Sequence, residues 1–147
     1  ANPRFRELDA NESILAAQLQ GGNLDLAKNG RVILSSLEVN PDGGQWIHWQ
    51  RCGGEATHVS RYGPQGTGAT GTAFAGMGEG TRRVQAEPQF AIMYAEVFYN
   101  YRPLIFGWMI PEQTIYKTAA MFVRDDRDLS GAGIFDPAPS VEKRSTC

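Results

Sequence analysis

The chain has 147 residues, 41% apolar and 20% charged, which fits one ordinary globular domain rather than two. A formal charge of −2 and a pI of about 5.7 argue against a nucleic-acid binder, and only Arg82-Arg83 and Lys143-Arg144 set two cations together. No apolar run approaches the roughly 18 residues of a membrane span, and Ala1–Arg6 is not the apolar centre of a secretory signal.

Pro3 to Gln20 is predicted to be helical. Pro3 suits a first turn, Phe5, Leu8, Leu15 and Leu19 recur at helical spacing, and Gly21-Gly22 ends the run. A second short helix is expected over Leu24–Asn29, capped by Asn23 and stopped by Gly30, so residues 1–30 form a helical N-terminal segment. From Arg31 the period falls to two. Arg31–Val39 and Gln45–Cys52 flank the turn cluster Asn40-Pro-Asp-Gly-Gly44, an antiparallel hairpin. Strict alternation in the second strand puts Trp46 and His48 on one face, and Ile47 and Trp49 on the other.

Residues 53–87 break the pattern, with nine of the 17 glycines between Gly53 and Gly80. A loop this long is generally functional or mobile. Gln89–Arg102 carries apolar groups on both faces and is predicted to be a central strand, with Thr114–Arg124 as the last strand. The connection Pro103–Pro111 holds six large apolar residues; it is expected to pack back on the sheet, failing which it offers an apolar patch to a partner. The tail after Asp125 is expected to be irregular. The sum is a single α+β domain, 1–147: an N-terminal helix packed on a four-stranded antiparallel sheet (31–147), with a long Gly-rich loop.

The chemical motifs are sparse. Gly66-Thr-Gly-Ala-Thr-Gly71 fits G-x-G-x-x-G but has neither the strand before it nor the helix after it that pyrophosphate binding requires. His48 and Cys52, on one face of a strand by simple alternation, stand about 13 Å apart, too far for a nucleophile and its base, and adding His58 makes no zinc spacing. Asp126-Arg-Asp128-Leu-Ser130-Gly131 resembles the first half of a calcium loop, but the twelfth position is Pro137, so a polar turn is the better reading. Glu96 would be a carboxylate on a central strand, explained more simply by a cross-strand cation (Lys117, Arg124 or Arg51) than by catalysis with His48 or His58. Neither catalytic nor cofactor-binding nor metal residues are assigned. Two cysteines are too few for a zinc site, leaving buried thiols or a disulfide; the position of Cys147 at the end of the chain favours a bridge to Cys52 and hence an oxidising compartment.

Tyr94-Ala-Glu-Val-Phe-Tyr-Asn-Tyr-Arg-Pro103, with its Glu and Tyr-x-Tyr-x-Pro pattern before the apolar Leu104–Ile110, resembles the central signature of TadE-like proteins, minor pilins or pseudopilins of bacterial tight-adherence pili. Thr118–Arg124, Trp49-Gln-Arg-Cys52, the Gly-rich segment and Cys147 are similar to the same pattern, so the resemblance runs from Val32 to Cys147. It implies a non-enzymatic subunit without cofactors that primes or caps a filament. Other major and minor pilins and an inner-membrane assembly platform are the implied partners. An N-terminal hydrophobic helix, absent from this chain, is implied as the anchor of a periplasmic domain or of a subunit within the pilus. On this expectation residues 1–20 are the solvent-side half of that helix, with Phe5, Leu8 and Leu15 contacting the sheet or a neighbour. The rival expectation is an extracytoplasmic adhesin or ligand-binding module using the Gly-rich loop.

Overall fold

The computed structural model describes residues 4–103, 105, 108–123, 128–135 and 144–147. Helix α1 spans Glu7–Gln20 and α2 Leu26–Asn29, separated by a 3-10 turn at Gly22–Leu24; a second 3-10 turn spans Gly80–Arg82. The strands are β1 (Gly30–Val39), β2 (Gln45–Gly53), β3 (Ala91–Tyr101) and β4 (Gln113–Val123). They form one antiparallel sheet in the order β2-β1-β3-β4, with α1 packed on one face. The fold is therefore α+β.

The helix starts four residues later than its apolar spacing suggests. The backbone of Phe5 and Glu7 instead pairs with Phe135, at 2.7 and 3.0 Å, in a short parallel bridge. Arg6 is the N-cap, and its backbone N–H donates to Asp9 at 2.9 Å. At α2 the cap is Asp25 rather than Asn23: Asp25 takes a left-handed φ of 48° and its carboxylate accepts from the Lys28 N–H.

The hairpin turn is built by Asn40. Its side-chain oxygen accepts from the Asp42 and Gly44 N–H groups at 2.9 and 2.8 Å, an Asx turn. Its amide nitrogen donates to the carbonyls of Gly68 and Gly71, both at 2.7 Å. The Gly-rich motif is thus docked on this turn through its carbonyl groups.

Alternation in β2 fails at one place. The register against β1 shifts between Ser36 and Leu37, because Ser36 opposes Trp49 while Leu37 opposes Ile47. His48 is the extra residue of a β-bulge, which reverses the faces beyond it. Trp49 therefore joins the core under α1 with Ala10, Leu34, Ala91 and Met93, while Ile47 packs on the opposite face with Leu37, Met77 and Ile92. The same bulge puts His48 and Cys52 on opposite faces, so the shared face expected from alternation is wrong.

Residues 54–90 hold no strand and no helix longer than one 3-10 turn, yet they are not loose. Met77, fully buried, and Ala86 lie against Leu37, Ile47 and Ile92, with Tyr62, Phe74 and Val84 around them. Gln45 fastens the end of this layer, its side chain donating to the Ala86 carbonyl at 3.0 Å and accepting from the Ala86 N–H at 2.6 Å. β3 lies between β1 and β4 as expected of a central strand, though its burial fades toward Tyr101. In the β3–β4 connection Ile105, Trp108, Met109 and Ile110 are exposed rather than packed back on the sheet. Arg124, Asp126, Pro137 and Pro139 lie outside the described residues.

Cys52 and Cys147 form a disulfide. It fixes the tail along β2, where the Cys52 N–H donates to Ser145 at 2.6 Å and Arg51 bridges to Thr146. With a sequence separation of 95 between the cysteines, the chain-entropy model predicts that reduction lowers unfolding stability by about 4–5 kcal/mol. Urea unfolding with and without reductant measures it; coincident curves would remove the tail clasp from the account of stability.

Candidate functional site

The helix carries two stripes. Glu7, Ala10 and Ile14, at i, i+3 and i+7, turn toward the sheet and are buried. Leu8, Leu15 and Leu19, about a third of a turn away, are 52%, 53% and 71% exposed. Of the three residues expected at a contact, only Phe5 meets the sheet region: it precedes the helix and stacks on Trp49 with ring centroids 5.2 Å apart. Leu8 and Leu15 face outward. The choice of stripe is made by the sheet. A Cβ at Gly53 would collide with Ile14, so the close approach of α1 to β2 requires glycine there.

An ion pair sets the position of the helix. The Arg51 guanidinium, on β2, holds both oxygens of the Glu7 carboxylate in a fork, with its Nε at 2.7 Å from Oε2 and its Nη2 on Oε1. The Arg51 side chain is 7% and the Glu7 side chain 2% exposed. The remaining guanidinium donor reaches the Gln50 carbonyl at 2.7 Å and the Gln65 side chain at 3.1 Å. A buried pair of this kind is strongly destabilising to break, because one partner is left charged and unpaired.

On the same face, the bulge directs His48 onto Glu38. His48 Nδ1 lies 2.7 Å from Glu38 Oε2, and the Ser36 hydroxyl donates to Oε1 at 2.6 Å. His48 Nε2, 3.0 Å from the Gly131 carbonyl, must carry a proton there, since a carbonyl only accepts. The ring stacks on Trp46 at 4.1 Å. These are the residue types of a hydrolytic triad in the wrong order. The serine sits at the carboxylate end, and the nitrogen that would act as base is already engaged.

Glu96 lies on the opposite face and is wholly buried. Its Oε1 accepts from the Tyr116 hydroxyl at 2.9 Å and from the Arg61 backbone N–H at 3.0 Å; Oε2 has no partner among the described residues. None of the described cations expected to pair with it does so. Lys117 opposes Val97 on the other face, and Arg51 is committed to Glu7. Arg124, the third candidate, is outside the described residues. Arg61 instead lies over the Tyr116 ring, 3.7 Å from its centroid. The two histidines suggested as partners are elsewhere: His48 is across the sheet, and His58 bonds Asn100 at 2.7 Å while stacking on Phe98.

Asp128, from the calcium-like turn, accepts from the Ser130 backbone N–H at 3.0 Å and from its hydroxyl, and pairs with Arg4 at 2.7 Å. These contacts, the Ser130 hydroxyl foremost, hold its carboxyl below the usual range. It serves as a turn and as an anchor for the N-terminal segment.

Burial is the first cause that pushes the Tyr94 phenol up to about 12 and raises the Tyr116 phenol also. The hydrogen bond to Glu96 adds to the Tyr116 shift, and the hydroxyl–hydroxyl contact with Tyr62 adds to the Tyr94 shift. Comparison with protein-family models, curated proteins and solved structures finds no match for the chain.

Glu7→Ala is expected to cost about 3–5 kcal/mol in urea unfolding, and Glu7→Leu combined with Arg51→Met much less. A loss below about 1 kcal/mol in the single variant would show that apolar packing alone seats the helix. The two phenols are protonated in the fold. The Tyr94 contribution to stability is complete below pH about 10, the ordinary phenol value, and is lost as pH rises through about 12. Melting temperature followed against pH should fall over that window, and less steeply in Tyr94→Phe; an unchanged slope would contradict the assignment.

Proposed function

We propose that the chain is a structural subunit of the TadE-like minor pilin or pseudopilin kind, acting by protein–protein contact in a tight-adherence pilus. The observation that carries this reading is the second stripe of α1. A helix seated on a sheet by a buried ion pair keeps Leu8, Leu15 and Leu19 exposed along its outer side. A row of leucines at helical spacing is what a neighbouring helix packs against. The fold, a helix laid on an antiparallel sheet whose tail is clasped by a disulfide, agrees with the resemblance around Tyr94–Pro103. On this reading the partners are major and minor pilins and the inner-membrane assembly platform, the anchor is a hydrophobic helix ahead of residue 1, and the site of action is the periplasm or the filament. The work is priming or capping the filament and so supporting adhesion, with no residue assigned to catalysis.

One observation favours a second reading, a ligand-binding adhesin module. A cavity of about 560 Å³ lies between the Gly-rich segment and the disulfide, bounded by Ile33, Cys52, His58, Val59 and Pro64.

Leu15→Glu with Leu19→Glu changes two exposed positions, so the domain should melt as before while piliation of the host falls at least tenfold. Electron microscopy and recovery of sheared pili read this out. Normal pili in that strain and in a gene deletion would overturn the pilus reading, and glycan binding by the isolated chain would then favour the adhesin.

A further inference from the structure

The two edges of the sheet are treated differently. The outer edge of β2 is closed by the chain itself. Ile47 exchanges backbone hydrogen bonds with Gly66 and Thr67 at 2.7 and 2.8 Å, and the tail held by Cys147 lies along Arg51 and Cys52. The other edge is β4, which has no strand beyond it among the described residues. It runs against β3 without a bulge from Ala91↔Val123 to Tyr101↔Gln113. Nine of its 11 residues are exposed, including Ile115 (44%), Met121 (65%) and Phe122 (63%). Edge strands are usually blunted by proline, a bulge, several charges or short length; β4 has only Lys117. A long edge flanked by apolar side chains is a template for another strand.

The sequence of β4 indicates which strand. We propose that it is β4 of a second copy, antiparallel about a two-fold axis through Thr118, joining the two sheets into one. Opposed residues of antiparallel strands share a face, so such an axis must pass through a residue rather than between two. Thr118 is the midpoint of Gln113–Val123, and only there does the whole strand pair with itself. This register sets Ile115 beside the partner's Met121 on the face that carries α1. On the other face it sets Thr114 beside Phe122, Tyr116 beside Ala120, and Thr118 beside its own copy. Apolar and Thr–Thr cross-strand pairs of this kind are stabilising. Charge supports the same register. Lys117, the one ionised side chain in β4, opposes Ala119; an axis one residue earlier would set two ammonium groups face to face. The proposal does not rest on the pilus reading.

Ala119 is exposed and provides the test. Ala119→Lys creates two Lys–Lys oppositions in the dimer, and Ala119→Glu two Lys–Glu pairs. Sedimentation equilibrium of the 147-residue chain should show reversible dimers, with dissociation about tenfold easier for Ala119→Lys and harder by a similar factor for Ala119→Glu. Circular dichroism checks that each variant is folded. Met121→Lys, which sets a charge against the partner's Ile115, is a second reporter expected to weaken the dimer. A chain that stays monomeric at millimolar concentration overturns the proposal, as does a dimer indifferent to these substitutions or an assembly that grows beyond two copies.

Discussion

The forked contact between Glu7 and Arg51 is the constraint around which this molecule is arranged. It joins the first turn of the helix to the second strand, and through the Gln65 side chain it also reaches the layer on the far side of the sheet edge. A charge pair this well buried returns little net stability beyond what apolar residues of the same volume would give. Its effect is directional instead. A guanidinium fork accepts a carboxylate in few orientations, so the helix has one axial position and one rotation on the sheet. The exposure of the outer leucines follows from that rotation.

The sheet has two dissimilar covers. On one face the helix lies over β1 and β2, close enough that Gly53 is needed beneath Ile14. On the other face an irregular segment takes the place of a second helix layer. It is held by polar side chains acting as backbone mimics, Gln45 toward Ala86 and Asn40 toward Gly68 and Gly71. Glycine suits such a layer, because turns with positive φ recur from Gly54 to Gly80 and bring Met77 down onto the sheet. Neither cover extends far over β4, which is why that strand stays exposed on both faces.

Local signals in the sequence located the elements well. The change to period two at Arg31, the turn cluster after Asn40 and the apolar run before Tyr101 are all short-range features, and the strands lie within a residue or two of them. Two lone cysteines allow a single intramolecular pairing. What escaped was non-local. The bulge at His48 is an insertion defined only against β1, and it carries neither glycine nor proline to announce it. The stripe that seats the helix went unnoticed because leucine is more apolar than alanine, whereas the sheet selected small Ala10 and the pairable Glu7. Among the described residues the partners of Glu96 are a phenol and a peptide N–H, and the peptide comes from a segment with no sequence period to align it.

The disulfide that clasps the tail also has a mechanical meaning. Tension applied between the N-terminal segment and residue 147 reaches Cys52 and then passes directly to Cys147, bypassing every residue between them. Those 95 positions of separation represent roughly 300 Å of extended chain that pulling cannot release while the bond is intact. The sheet can be distorted, but most of its contour length stays stored, and only the stretch ahead of Cys52 is free to pay out.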